Sequence, residues 1–194
     1  MNMKYLLALL TLIIVSYRVS GQSAYYPLKE GSSHTYAYGS QLYDGAYDDK
    51  RVKVKILNDS KTLDGNVYFV SETSMGSNGN YRIYATSYLR IDGKGSIMMK
   101  QNLNHKEVMM IPSAPKVGTS WSAEINNVAH TNTVVDLNGS IKTKQTTYNN
   151  CLVLEQKANE GIVTRSYYKK GVGMVATTML ADYSEKIFIY LINN

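Results

Sequence analysis

The chain has 194 residues, 21 basic against 15 acidic for a net charge of +6, and one cysteine, Cys151. A lone cysteine excludes any internal disulfide, so a domain of this size has to be held by its core and its hydrogen-bond ladder. The basic residues are scattered, and pairs such as Lys53 and Lys55 fall on one face of an extended strand. That is the look of a solvated face rather than the concentrated basic patch with interleaved aromatics that nucleic acid requires, so no nucleic-acid partner is expected.

The chain opens M-N-M-K-Y-L-L-A-L-L-T-L-I-I-V-S-Y-R-V-S-G-Q, with Lys4 ahead of a ten-residue apolar run, Leu6 to Val15, interrupted only by Thr11. Val19 and Gly21 place small residues where a signal peptidase would cut before Gln22. Residues 1–21 are read as a secretory signal peptide, the run being short for a bilayer span. A secreted or periplasmic chain of residues 22–194 is expected, with net charge +4 once Lys4 and Arg18 are lost and no stable membrane span after cleavage. No cysteine stands near the cut, so no lipobox is present.

Beyond that point the sequence reads as strands and turns. R-V-K-V-K-I (51–56) alternates apolar and basic residues, and N-V-Y-F-V-S-E-T, Y-R-I-Y-A-T-S-Y-L-R, T-V-V-D-L, C-L-V-L-E-Q, I-V-T-R-S-Y-Y-K and K-I-F-I-Y-L-I follow in order. Seventeen tyrosines against two phenylalanines suit strands that carry an apolar ring with a polar tip. Asp44-Gly45, Asp64-Gly65, Asp92-Gly93 and Asn138-Gly139 are hairpin signals, and T-V-V-D-L-N-G-S-I-K-T-K is expected to fold back at its Asn-Gly. No stretch after residue 21 keeps a helical period with caps. The fold class is therefore all-β: a curved antiparallel sheet, half-barrel or partly closed barrel of about ten to twelve strands.

The chain is expected to be one β domain, residues 22–194, made of two degenerate repeats, approximately 25–110 and 111–194. P-L-K-E-G-S-S-H-T-Y (27–36) aligns with A-P-K-V-G-T-S-W-S-A (114–123), and S-Y-L-R-I-D-G-K-G-S-I (87–97) with S-Y-Y-K-K-G-V-G-M-V (166–175). Gly31 pairs with Gly118, His34 with Trp121, Tyr88 with Tyr167, and Gly95 with Gly173. Gly31, Gly118, Trp121, Gly95 and Gly173 are assigned structural roles. Neither Gly93-Lys94-Gly95 nor Gly171-Val172-Gly173 has the third glycine and following helix of a phosphate cradle, so both are read as turns or bulges.

No catalytic pattern emerges. The histidines, His34, His105 and His130, lie at no metal-ligand spacing, the acids form no calcium loop, and no G-x-S-x-G elbow occurs. No enzyme activity, cofactor or metal is expected. I-M-M-K and V-M-M-I, which carry Met98, Met99, Met109 and Met110, would face each other in a hairpin as an adaptable apolar patch. These four methionines with Tyr88 and Tyr167 are the candidate ligand-lining residues.

Y-Y-P-L-K-x-G-S, P-K-V-G-x-S-W, N-C-L-V-L and Y-Y-x-K-G-V-G-M-V together resemble an uncharacterised family of small secreted β-proteins of Gram-negative bacteria. The resemblance covers most of residues 22–194, with about thirty specific positions, and departs at His34, where the family usually carries tryptophan, and in the missing lipobox. Its members are similar in outline to lipoprotein-carrier half-barrels or lipocalin-like barrels, which implies a curved sheet around an apolar concavity, and no catalytic residue carries over. The functional expectation is a non-enzymatic binding or carrier module for a hydrophobic small molecule or lipid. The alternative is a structural module that binds an envelope protein or a glycan.

Overall fold

The computed structural model describes residues 24–38, 50–125, 128–158, 161–181 and 184–192. The proposed signal peptide and Asp44-Gly45 lie outside them. Twelve antiparallel strands follow in chain order: β1 (Ser33–Tyr38), β2 (Arg51–Leu63), β3 (Asn66–Ser77), β4 (Asn80–Ile91), β5 (Ile97–Lys100), β6 (Val108–Ile111), β7 (Ser120–Ile125), β8 (Val128–Lys142), β9 (Thr147–Ala158), β10 (Val163–Lys169), β11 (Gly173–Ala181) and β12 (Ser184–Leu191). No helix occurs among the described residues.

They form one sheet in the order β6-β5-β4-β3-β2-β1-β12-β11-β10-β9-β8-β7. The sheet curls into a nearly closed barrel whose seam lies between β6 and β7. Buried Ile56, Leu89, Ile97 and Ile111 of the first six strands pack with Val134, Leu152, Leu154 and Tyr168 of the last six. Strands so far apart in sheet order can share a cluster only across the concave side, so these residues fill the lumen. Consecutive residues are both buried at Tyr36-Ala37, Cys151-Leu152, Tyr167-Tyr168 and Tyr190-Leu191, because a second cluster takes in both faces there, with Tyr36 and Leu191 on the lumen side and Ala37, Cys151, Tyr167 and Tyr190 on the outer side.

Two hairpins follow directly from turn chemistry. Asp64 and Gly65 (φ 51° and 76°) join Leu63 to Asn66, and Asn78 and Gly79 (φ 50° and 84°) join Ser77 to Asn80. Positive φ at both central residues is the two-residue turn whose twist matches its strands. The second of these is an Asn-Gly turn that the sequence reading passed over.

The expected fold-back at Asn138-Gly139 is not there. Strand β8 runs through it to Lys142, bulging between Val134 and Ile141, and the chain turns at Thr143–Thr146, where the Thr143 amide donates to the Thr146 carbonyl at 2.8 Å. Gly139 serves proximity instead of a turn: a Cβ there would stand 2.3 Å from Val153 Cγ2. A Gly in a strand marks a bulge or a close approach as often as it marks a turn.

The two Lys-x-Gly boxes adopt one geometry. Gly31 donates to the Ile56 carbonyl and Gly118 to that of Val134; Ile56 donates to Ser32 and Val134 to Thr119; Ser32 donates to Lys29 and Thr119 to Lys116. Gly31 and Gly118 both need positive φ (74° and 86°) to make that bend. The register then matches residue for residue. His34 opposes Val54 as Trp121 opposes Asn132, and Tyr36 opposes Val52 as Ala123 opposes His130.

Gly171-Val172-Gly173 is the turn from β10 to β11, and it seats the segment before β1. The Gly171 amide donates to the Ala24 carbonyl at 2.7 Å, Pro27 lies over Gly173, and Tyr26 packs on Tyr168 with ring centroids 6.3 Å apart.

Candidate functional site

The seam is where the two halves differ. Strand β1 pairs with β12 through Tyr36–Leu191, Ala37–Tyr190 and Tyr38–Ile189. The corresponding edges of β7 and β6 share no ladder among the described residues; the indole Nε1–H of Trp121 donates instead to the Met109 carbonyl at 2.8 Å. Strand β6 has four residues against six in β7, and Ala123 and Ile125 of β7 line the gap with Val108 and Met109 of β6.

A reason for the short strand lies on the outer face. Glu107 accepts from Tyr68 Oη at 2.6 Å, from Arg90 Nε at 2.6 Å and from Arg90 Nη2 at 2.5 Å. The loop between β5 and β6 is held there, away from β7. Burial tends to raise the Glu107 pKa, but the hydrogen bonds from Arg90 and Tyr68 outweigh it and leave the carboxyl below its ordinary value.

Behind the gap lies a cavity of about 190 Å³. Met99, Val108, Met109, Met110, Ala123 and Ile125 form its apolar side, at the mouth and along the two facing edges. Asn132, Gln156 and Ser166 form a polar strip from β8, β9 and β10, with Leu154 and Tyr168 beside it. Gln156 Nε2 donates to Asn132 Oδ1 at 3.1 Å, the two facing each other across the β8–β9 pair. Among the described residues, no lysine, arginine, aspartate or glutamate lines it. Burial, then Tyr26, pushes the Tyr168 phenol up, so it is neutral at physiological pH. Beside Ala123 on the neighbouring strand, His130 has its Nδ1 buried with no hydrogen-bond partner.

The equivalent place in the first half is filled. His34, Tyr36, Val54 and Ile56, with Tyr26, Pro27 and Met174, leave only about 10 Å³, the volume of about one water probe. Tyr36 occupies it, donating its hydroxyl to the Met174 carbonyl at 3.2 Å.

Of the candidate lining residues, Met99, Met109 and Met110 reach the cavity. Met98 pairs with Arg90 on the other face of β5. Tyr88 lies in an outer cluster with Tyr68 and Val70, under Lys61 Nζ at 5.9 Å, and Tyr167 donates to Glu185 at 2.9 Å on the outer face of β10. Their chain neighbours Leu89 and Tyr168 are the ones turned to the lumen. Of the residues assigned structural roles, Gly31, Gly118, Gly95 and Gly173 sit at bends, all with positive φ, and Trp121 bridges the seam. Ala123, Asn132, Gln156 and Ser166 were not singled out; the signal for Ala123 was the last column of the first alignment, where it stands against Tyr36.

Fold and site together define an antiparallel, twelve-stranded, nearly closed barrel with a lateral opening. A crystal structure from Bacteroides fragilis, assigned as an exported protein with a YmcC-like fold, aligns with a TM-score of 0.56 at 11% identity. The match covers 86% of this chain and 96% of that one, and at such identity it speaks for the fold alone. No family profile and no curated protein sequence matches the chain.

Proposed function

We propose that the protein is an exported, non-enzymatic binding or carrier module for an apolar or amphipathic ligand, in the periplasm or outside the cell. The observation that carries this reading is the 190 Å³ cavity behind the seam, with methionine on one wall. It exceeds the roughly 150 Å³ apolar cavity that takes up benzene, yet falls short of the roughly 300–1,000 Å³ typical of sites for whole drug-sized ligands. A cavity of that size suits one end of a longer molecule, the rest trailing through the seam, and methionine adapts to irregular chains. Export is supported by the signal-like residues 1–21. The non-enzymatic reading rests on the sequence patterns, as does membership of the secreted Gram-negative family that they resemble. Native mass spectrometry of protein gently isolated from its own host tests the proposal: a co-purifying lipid or similar apolar ligand is expected, and a clean apo mass counts against it.

A second reading, an interaction module for an envelope protein or glycan, draws on the far end of the β3–β4 hairpin. Ile83 and Tyr84 are 63% and 77% exposed there, with Tyr81 beside them. A stable partner recovered by cross-linking, and lost on Tyr84→Ser, would favour it.

A further inference from the structure

The two halves place equivalent backbone under unlike side chains, and the substitutions have a chemical direction. Ala123 stands where Tyr36 does, Asn132 where Val54 does and His130 where Val52 does; in the adjoining strand Gln156 stands where Thr73 does. One exchange removes a large ring, and the others add hydrogen-bonding capacity on the lumen side. A buried polar group is tolerated only where it is satisfied. Asn132 is 8% exposed and each primary amide has two donors and an acceptor, whereas their mutual bond uses one donor and one acceptor. The His130 Nδ1, one strand over from Ala123, has no hydrogen-bond partner among the described residues. The strip therefore has bonding capacity to offer, and among the described residues no lysine, arginine, aspartate or glutamate lines the cavity to meet a charge.

We infer that the seam cavity is selective for an uncharged amphiphile, whose neutral amide, ester or hydroxyl group bonds the Asn132–Gln156–Ser166 strip while its alkyl chain lies on Met99, Met109 and Met110. This inference rests on the binding reading above and specifies its ligand class. A carboxylate or a quaternary ammonium would be desolvated there with no counter-charge among the described lining residues, which strongly disfavours it. Asn132 and Gln156 are the specificity-determining residues, and Ala123 makes the room.

Trp121 is the only tryptophan of the chain and stands at the mouth, so its emission reports occupancy. The full-length mature protein is titrated, below micelle formation, with probes of one alkyl length: N-methyldecanamide and 1-decanoylglycerol (neutral), decanoate (anionic) and decyltrimethylammonium (cationic). Calorimetry runs in parallel. The neutral probes are expected to bind at least about tenfold more tightly than both charged ones. The double variant Asn132→Val/Gln156→Thr, which copies the first half's own residues, is expected to erase that preference. Ala123→Tyr is expected to abolish binding of every probe while circular dichroism stays native, with Ala123→Leu as the milder filling variant should the tyrosine not be accommodated. Equal or tighter binding of a charged probe, or a neutral preference that survives the double variant, overturns this inference and leaves the binding function standing. Binding of no probe, together with a clean apo mass from the host, overturns both.

Discussion

The beginnings of β1–β2 and of β7–β8 are the same piece of architecture used in two ways. Both open with a Lys-x-Gly box, make the same three backbone bonds and hold the next strand in the same register. In the first, Tyr36 plugs the lumen and β12 zips onto the outer edge. In the second, Ala123 leaves a hollow, and among the described residues the edge is tied to β6 by an indole N–H in place of a ladder. What differs is a few side chains and the length of the facing hairpin, four and four residues in β5–β6 against nine and eight in β11–β12. A backbone frame can thus be filled at one copy and left hollow at the other.

The largest expected effect comes from making the first copy resemble the second. Tyr36→Ala removes a 96%-buried ring and its hydrogen bond, and should cost about 3–5 kcal/mol of unfolding free energy. Urea denaturation measures it, and a loss under about 1 kcal/mol would mean that the first copy collapses readily and that Tyr36 is no plug. Next come the two bends. Gly31→Ala and Gly118→Ala each force a side chain into the left-handed region and should cost about 1–2 kcal/mol. Gly31 should be slightly the more sensitive, because its Cβ would meet Asn58 Oδ1 at 2.9 Å while nothing lies near Gly118. A large inequality in the opposite sense would break the equivalence of the two boxes.

The smallest effect is local to the seam. Glu107 is held below its ordinary pKa of 4.5 in the folded chain, so its contribution is present above that value. It is lost as pH falls through the lowered pKa, releasing the loop from Arg90. Trp121 emission should hold steady down to that range and change below it, whereas Glu107→Gln should show the changed emission already at neutral pH. An unaltered emission in the variant would separate the Glu107 anchor from the seam.

Much of the barrel was legible because alternation and Asp-Gly or Asn-Gly pairs carry direct backbone meaning. Val52, Val54 and Ile56 declared a strand, and Asp64-Gly65 a turn. Asn138-Gly139 misled because the dipeptide reports only that the backbone is permitted positive φ; whether Gly is needed for that or for the approach of Val153 depends on a strand not adjacent in sequence. The methionine hairpin was legible, with Met98 facing Met109 and Met99 facing Val108. The tyrosines were not, since Tyr-Tyr at 167–168 fits either parity and a bulge between the two shifts their register with β11. The cavity itself was out of reach: an alanine signals a hole only against the larger residue that its structural twin carries.

The strand order also bears on how the chain finds its fold. Among the described residues, every ladder but one joins strands consecutive in sequence; the exception ties Tyr36 to Leu191, almost the whole chain apart. Two meanders can therefore form from short-range contacts, and the loop-closure entropy falls on a single late docking step. Since β6 and β7 share no ladder, a circular permutant cut between them and joined across the native ends loses no strand pairing. Its docking step becomes a local one, and it should fold faster than the native order.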